Sequence, residues 1–147
     1  MIKPHALAAA SLMLACSLAL AAPKGETPKD PLGSHNWSYM RKDLFPANAR
    51  VVFDERVKVS APLTAENPMN VPVSVDAAAL PRVTEVLVFA DLNPIARIVR
   101  FVPTGAHPGL GFRIKLQQSS PVRAAARTAD GTWHVGGTWV NTTGGGC

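Results

Sequence analysis

The residue with the most chemistry to offer in this sequence is Cys147, which follows Thr143-Gly144-Gly145-Gly146. A thiolate attacks sulfur atoms and forms S–S bonds. Three successive glycines add no side-chain packing and lose the most entropy if ordered. Gly144, Gly145 and Gly146 therefore read as a flexible arm. Thr142 to Cys147 would reach roughly 20 Å when extended. A thiol on such a tether can enter the narrow active site of another protein, and docking raises its local concentration to the order of mM. A thiol packed in a core would be inert. The pattern points to a carrier that other enzymes act on, with Cys147 as the point of covalent attachment. The competing reading is a structural or ligand-binding module that dimerises through a disulfide at Cys147.

The other end of the chain says where such a thiol would work. Met1-Ile2-Lys3-Pro4-His5 precedes an apolar run from Ala6 to Ala22, with Ala19-Leu20-Ala21 as a small-residue cleavage site. This is the form of a secretory signal peptide over residues 1–21, and it predicts a periplasmic protein. Leu12-Met13-Leu14-Ala15-Cys16 loosely matches a lipoprotein signal, but Met13 and Leu14 are poor residues before such a cysteine. Cleavage after Ala21 removes Lys3 and Cys16. Cys147 is then the one cysteine, so an intrachain disulfide scaffold and a cysteine-based zinc site are excluded. No later apolar run approaches 18 residues, so a membrane span beyond the signal is not expected. The formal charge of the full chain is +5 at pH 7. Its basic residues are spread along the sequence, which is weak support for nucleic-acid binding.

Other constellations carry less. His35, His107 and His134 stand alone, with no pair at ligand spacing, and read as scattered surface histidines and not as a metal site. No nucleophile elbow frames a serine, so no catalytic residues and no cofactor are expected. Asp54-Glu55-Arg56 reads as a turn or bulge. Asp91 lies before Asn93-Pro94, where an Asx-type turn bond is expected. Trp133 and Trp139 would share one face of a strand unless Gly136-Gly137 bulges it.

The elements that must position the arm follow from periodicity. Residues 22–34 are polar and rich in Pro and Gly, a flexible leader. Trp37, Met40, Arg41 and Leu44 recur at helical spacing, with Ser34 or Asn36 as a cap and Pro46 as the stop. From Ala49 the period becomes two. Val57 to Ala61, Val71 to Asp76, Thr84 to Ala90, Arg97 to Val102, Phe112 to Leu116, Val122 to Arg127 and Trp133 to Val140 read as strands. Asp130-Gly131 is a hairpin turn between the last two. The expected fold is all-β: an immunoglobulin-like β-sandwich of about seven strands with a short N-terminal helix and a flexible C-terminal arm. Its parts are a signal peptide at 1–21, leader and helix at 22–49, the sandwich at 50–140 and the arm at 141–147.

Several segments, in this order, carry a resemblance. They are Trp37 with Met40-Arg41 and Leu44-Phe45, Val57-Lys58-Val59-Ser60-Ala61-Pro62 with Ala65-Glu66-Asn67, and Val71-Pro72-Val73-Ser74-Val75. Asp91-Leu92-Asn93-Pro94, Phe112-Arg113-Ile114-Lys115-Leu116 and Asp130-Gly131 follow, before Thr143-Gly144-Gly145-Gly146-Cys147. Together they resemble the SoxY family of periplasmic sulfur-oxidation carriers, and especially the SoxYZ-like carriers associated with quinoprotein dehydrogenases. The resemblance implies pairing with a SoxZ-type β-sandwich subunit, separate or fused. It implies sulfur intermediates, such as those of thiosulfate oxidation, held on Cys147 while other enzymes load, oxidise and hydrolyse them. The family arm normally continues with Gly-Gly after the cysteine, which is a departure here. The resemblance fits a lone Y-type subunit and the first half of a longer protein alike.

Overall fold

A computed structural model describes residues 29–143. The signal peptide expected at 1–21, and Gly144, Gly145, Gly146 and Cys147, lie outside the described residues. Helix α1 spans Trp37–Leu44. Nine strands follow: β1 (Val51–Phe53), β2 (Lys58–Ser60), β3 (Thr64–Ala65), β4 (Val71–Asp76), β5 (Val83–Ala90), β6 (Arg97–Phe101), β7 (Gly109–Ile114), β8 (Ser120–Thr128) and β9 (Trp133–Thr142). The larger sheet runs β1-β9-β8-β5-β6, with β3 also paired to β9. The smaller sheet runs β2-β4-β7. The expected two-sheet sandwich with one short helix is what forms. The two strands beyond the expected seven are β1 and β3, both short and both parallel to β9.

The alternation of the strands explains the layers. β4 shows strict buried–exposed alternation, with Val71, Val73 and Val75 turned inward. β5 and β8 are buried on both faces, which is why Val86-Leu87-Val88-Phe89-Ala90 and Val122 to Ala126 read as nearly unbroken apolar runs. Val86, Val88, Ala90, Val122, Ala124, Ala126 and Val140 join β4 in the core between the sheets. Leu87, Phe89, Ala125, Trp133 and Val135 face the other way and pack under Trp37, Met40, Leu44 and Phe45. The molecule is thus three layers: helix, large sheet, small sheet. Aromatic rings dominate the outer layer, with Trp37 centred 5.1 Å from Phe53 and Phe45 5.3 Å from Trp133.

The β8–β9 hairpin turns at Asp130-Gly131, where Gly131 has φ +86, and the pairing from Arg127↔Trp133 to Ser120↔Val140 is uninterrupted. The two glycines do not bulge β9. Trp133 and Trp139 therefore do share a face, but only Trp133 reaches under the helix, and Trp139 stays half-exposed. The glycine at 136 answers a different need. A Cβ there would sit 1.8 Å from the carbonyl oxygen of Val57, where the 54–57 turn presses on the sheet. Overpacking against backbone costs about 3 kcal/mol, at the upper end of the usual range. Gly136→Ala is expected to lower the thermal midpoint by on the order of 10 °C, as read by calorimetry; an unchanged midpoint would refute the close approach.

Part of the leader is not loose. Asp30 to Ser34 forms a turn in which Gly33 N–H donates to the Asp30 carbonyl at 3.1 Å and Ser34 N–H to the Asp30 carboxylate at 2.7 Å. Asn36 stands at the N-cap position, one of the two expected, but its side chain does not cap the helix. Its amide instead donates to the Asp91 carbonyl at 2.5 Å, tying the helix entrance to the end of β5.

Candidate functional site

The site begins where β9 ends. Asn141 and Thr142 pair in parallel with Thr64 and Ala65 of β3. Asn141 N–H donates to the Leu63 carbonyl at 2.8 Å, and its side-chain amide donates to the same oxygen at 3.2 Å. On the opposite flank Thr142 N–H donates to the Ser119 hydroxyl at 2.9 Å. Trp139 Nε1–H donates to Asn141 Oδ1 at 3.0 Å. Thr143 N–H reaches the Ala65 carbonyl at 3.4 Å. The residues leading into Gly144 are therefore bonded on both flanks. The two-residue strand β3 has no visible purpose other than this, and no periodicity announces it.

The turns around this end hold one another. Asn93 donates its side-chain amide to the Lys115 carbonyl at 2.9 Å and accepts from Gln117 N–H at 3.2 Å. Gln118 donates to the Leu92 carbonyl at 2.7 Å. Ser119, which bonds Thr142, belongs to the same linker between β7 and β8.

The most heavily bonded group in the described residues lies deeper. Arg123 stands in the middle of β8 and is 1% exposed. Its Nε and Nη2 donate to Asp91, which is fully buried, at 3.0–3.1 Å. Its Nη1 and Nη2 donate bidentately to Asp30 at 2.8 and 2.7 Å. The guanidinium carbon lies 4.7 Å from the centre of the Trp37 ring. Asp91 is thus a counter-ion and not the turn-former its sequence neighbours suggest, and Asp30 anchors the leader. Trp37 Nε1 is the one buried side-chain nitrogen or oxygen without a partner among the described residues. This cluster is not among the sequence expectations, although an arginine inside Val122-Arg123-Ala124-Ala125-Ala126 signals it. A charge in a two-sided apolar strand requires buried partners.

The histidines also divide differently from expectation. His107 is exposed, 3.4 Å from Asp76. His134 is half-buried, with Nδ1 2.8 Å from Asp54 Oδ2 and Nε2 3.3 Å from Thr128 Oγ1. Since an ionised carboxylate only accepts, the Nδ1–H form is the one that fits. Asp54 also accepts from Arg56, and the 54–57 segment is the expected turn. No group of three or more metal-ligating side chains occurs among the described residues.

These contacts fix the acid response. The Arg56 side chain holds the Asp54 carboxyl well below the usual range; burial opposes this, and the Arg56 N–H and His134 add to it. Burial works to raise Asp30, but the Arg123 guanidinium and the N–H groups of Ser34 and Leu32 outweigh it and lower its pKa. A carboxylate with a depressed folded pKa stabilises the protein above its unfolded value near 4, and that stability is lost as pH falls through the folded value. The thermal midpoint is expected to be flat from pH 7 to about pH 5 and to fall steadily below about pH 4. Asp54→Asn should shallow the acid limb; a midpoint that rises on acidification would contradict these contacts.

Fold and site define a two-sheet β-sandwich, buttressed by one helix, whose last strand is pinned at its end and leads into a Gly-Gly-Gly-Cys sequence. Residues 41–147 match the family described as sulfur oxidation protein SoxY, and the chain belongs to that family. Among solved structures it resembles the sulfur carrier protein SoxY from Chlorobium limicola f thiosulfatophilum, with TM-score 0.60 and 17% identity over 72% of this chain and 94% of that one. The sandwich is also shared with superoxide reductase (neelaredoxin) T24K from Ignicoccus hospitalis, with TM-score 0.54 and 15% identity over 63% of this chain and 94% of that one. A putative superoxide reductase from Thermotoga maritima matches with TM-score 0.54 and 13% identity over 65% and 95% of the two chains. At such identities the likeness is one of fold. No curated protein matches the chain in sequence.

Proposed function

We propose that this protein is a periplasmic carrier subunit that holds sulfur intermediates covalently on Cys147 while separate enzymes act on them. The observation that carries the reading is SoxY family membership over residues 41–147, a range that includes the Gly144-Gly145-Gly146-Cys147 sequence. The pinned end of β9 supports it, because a tether is useful only if its root is fixed. From Thr143, the four residues to Cys147 would extend about 14 Å. That length suits a thiol delivered into a partner's active site.

In this role the chain supplies a nucleophile and a tether, and its partners supply the redox chemistry. Joining a thiol-type sulfur to Cys147 Sγ as an S–S bond removes two electrons and two protons, which pass to an electron-accepting enzyme. A SoxZ-type sandwich subunit, separate or fused, and sulfur-oxidising enzymes or a quinoprotein dehydrogenase system are the partners the family suggests. The signal peptide over 1–21 serves export, and thiosulfate is one source of cargo.

The test is the intact mass of the protein purified from its native host grown on a reduced sulfur compound. Adducts of sulfur or sulfonate mass that a reductant removes are expected. An unmodified mass under every such condition would overturn the carrier reading. A stoichiometric disulfide homodimer would favour the structural module instead.

A further inference from the structure

The sandwich is not closed all round. β6 is the edge strand of the large sheet and β7 the edge strand of the small one. The two are consecutive in the chain but belong to different sheets. Core residues along this side are only half-buried: Ile98, Val99 and Phe101 from β6, Leu110 and Phe112 from β7. Their counterparts on the inner strands, Val73, Val75, Val86 and Val88, are fully buried. Ile95, just before β6, is 80% exposed, and Val102, just after it, is 55% exposed. A cleft of about 330 Å³ opens between the start of β6 and the end of β7, lined by Ile95, Arg97, Ile98, Arg113, Ile114 and Lys115.

The charged residues that line this cleft are all basic. Arg97, Arg113 and Lys115 are exposed, and none has a carboxylate partner among the described residues. Arg100, on β6 itself, is paired with Glu85, and Arg56 and Arg123 have carboxylate partners elsewhere. An edge strand with free backbone donors and acceptors invites strand pairing from another chain. An apolar centre with a charged rim is the anatomy of a protein–protein interface.

We infer that the open β6–β7 side is the docking surface for a second β-sandwich chain, one that presents an apolar strand edge rimmed by Asp and Glu carboxylates. Charge complementarity selects this occupant. A second copy of the present chain would bring Arg97, Arg113 and Lys115 near their own kind, which disfavours homodimerisation here. The inference rests on the carrier reading and deepens it by giving the partner subunit a place. The strand pairing leaves the end of β9, at the other side of the large sheet, free for enzymes that work on Cys147.

The experiment uses the full mature chain and the SoxZ-type protein of the same host. Hydrogen exchange of the complex is expected to slow amides of Arg97–Phe101 and Gly109–Ile114 selectively. The triple variant Arg97→Glu, Arg113→Glu, Lys115→Glu should associate about 10- to 100-fold more slowly at low salt, with the difference shrinking as salt rises. Its thermal midpoint, read alone, should match the parent, because these side chains are exposed. A complex that forms with protection elsewhere, or that is indifferent to the charge reversal, overturns the surface while leaving the carrier reading intact. A homodimer protected on the same edge overturns the choice of occupant. Failure to form any complex counts against the carrier reading itself.

Discussion

Replacing Cys147 by alanine is expected to abolish sulfur loading completely while leaving the fold untouched. As the tip of the proposed arm, Cys147 has no part in the core of the sandwich. The thermal midpoint of Cys147→Ala should therefore agree with the parent within about 1 °C. The intact mass of the variant, taken from the same cells, should show no adduct at all. If export removes residues 1–21 with Cys16, as proposed, Cys147 is the one thiol of this sequence left to load, so the effect should be total and not graded. A sulfur adduct that survives in the variant would place the attachment elsewhere and refute the role given to Cys147. Lengthening the tether is the matching control. Two further glycines before Cys147 should leave loading present, because the reach grows while the root of β9 is unaltered.

Arg123→Ala is expected to be the most damaging single change to stability. It strands Asp91, fully buried, and takes away the guanidinium that holds Asp30 against the sheet. Removing one partner of a buried ion pair costs about 3–5 kcal/mol, because the remaining charge is left uncompensated. For a domain of this size that corresponds to a fall of roughly 15 °C in thermal midpoint. The loss should be partly undone in the double variant Arg123→Leu, Asp91→Leu, since removing both charges removes the desolvation penalty. Asp30→Asn should cost less than Arg123→Ala, since Asp91 still answers the guanidinium. It should nevertheless speed exchange or proteolysis of the segment before α1. Equal midpoints for Arg123→Ala and the parent, read by calorimetry, would show that the cluster contributes nothing.

Much of this architecture is written in alternation. Val71, Val73 and Val75 against Pro72, Ser74 and Asp76 define β4 before any coordinate is known. The apolar runs of β5 and β8 mark strands covered on both faces, and Asp130-Gly131 marks their neighbour's hairpin. What alternation does not reveal is pairing over long separations. β3 is two residues long, and its role depends on β9, more than seventy positions later. Asp30 looks like one more polar residue of a Pro/Gly-rich leader until its partner at position 123 is placed beside it. Gly136 suggests a bulge from its own strand, and only the Val57 carbonyl explains it. The role proposed for Cys147 and its glycines rests instead on residue type and order, read from the sequence alone.

The setting of β9 has a mechanical side. The strand runs between β8 and the pair β1 and β3, and its hydrogen bonds stand across its length. A pull transmitted through Thr143 along the strand axis therefore loads those bonds in shear, many at once, and does not peel them singly. In the carrier role proposed above, an enzyme that drew the tip inward would work against the whole sheet, so the force would be borne by the body of the protein.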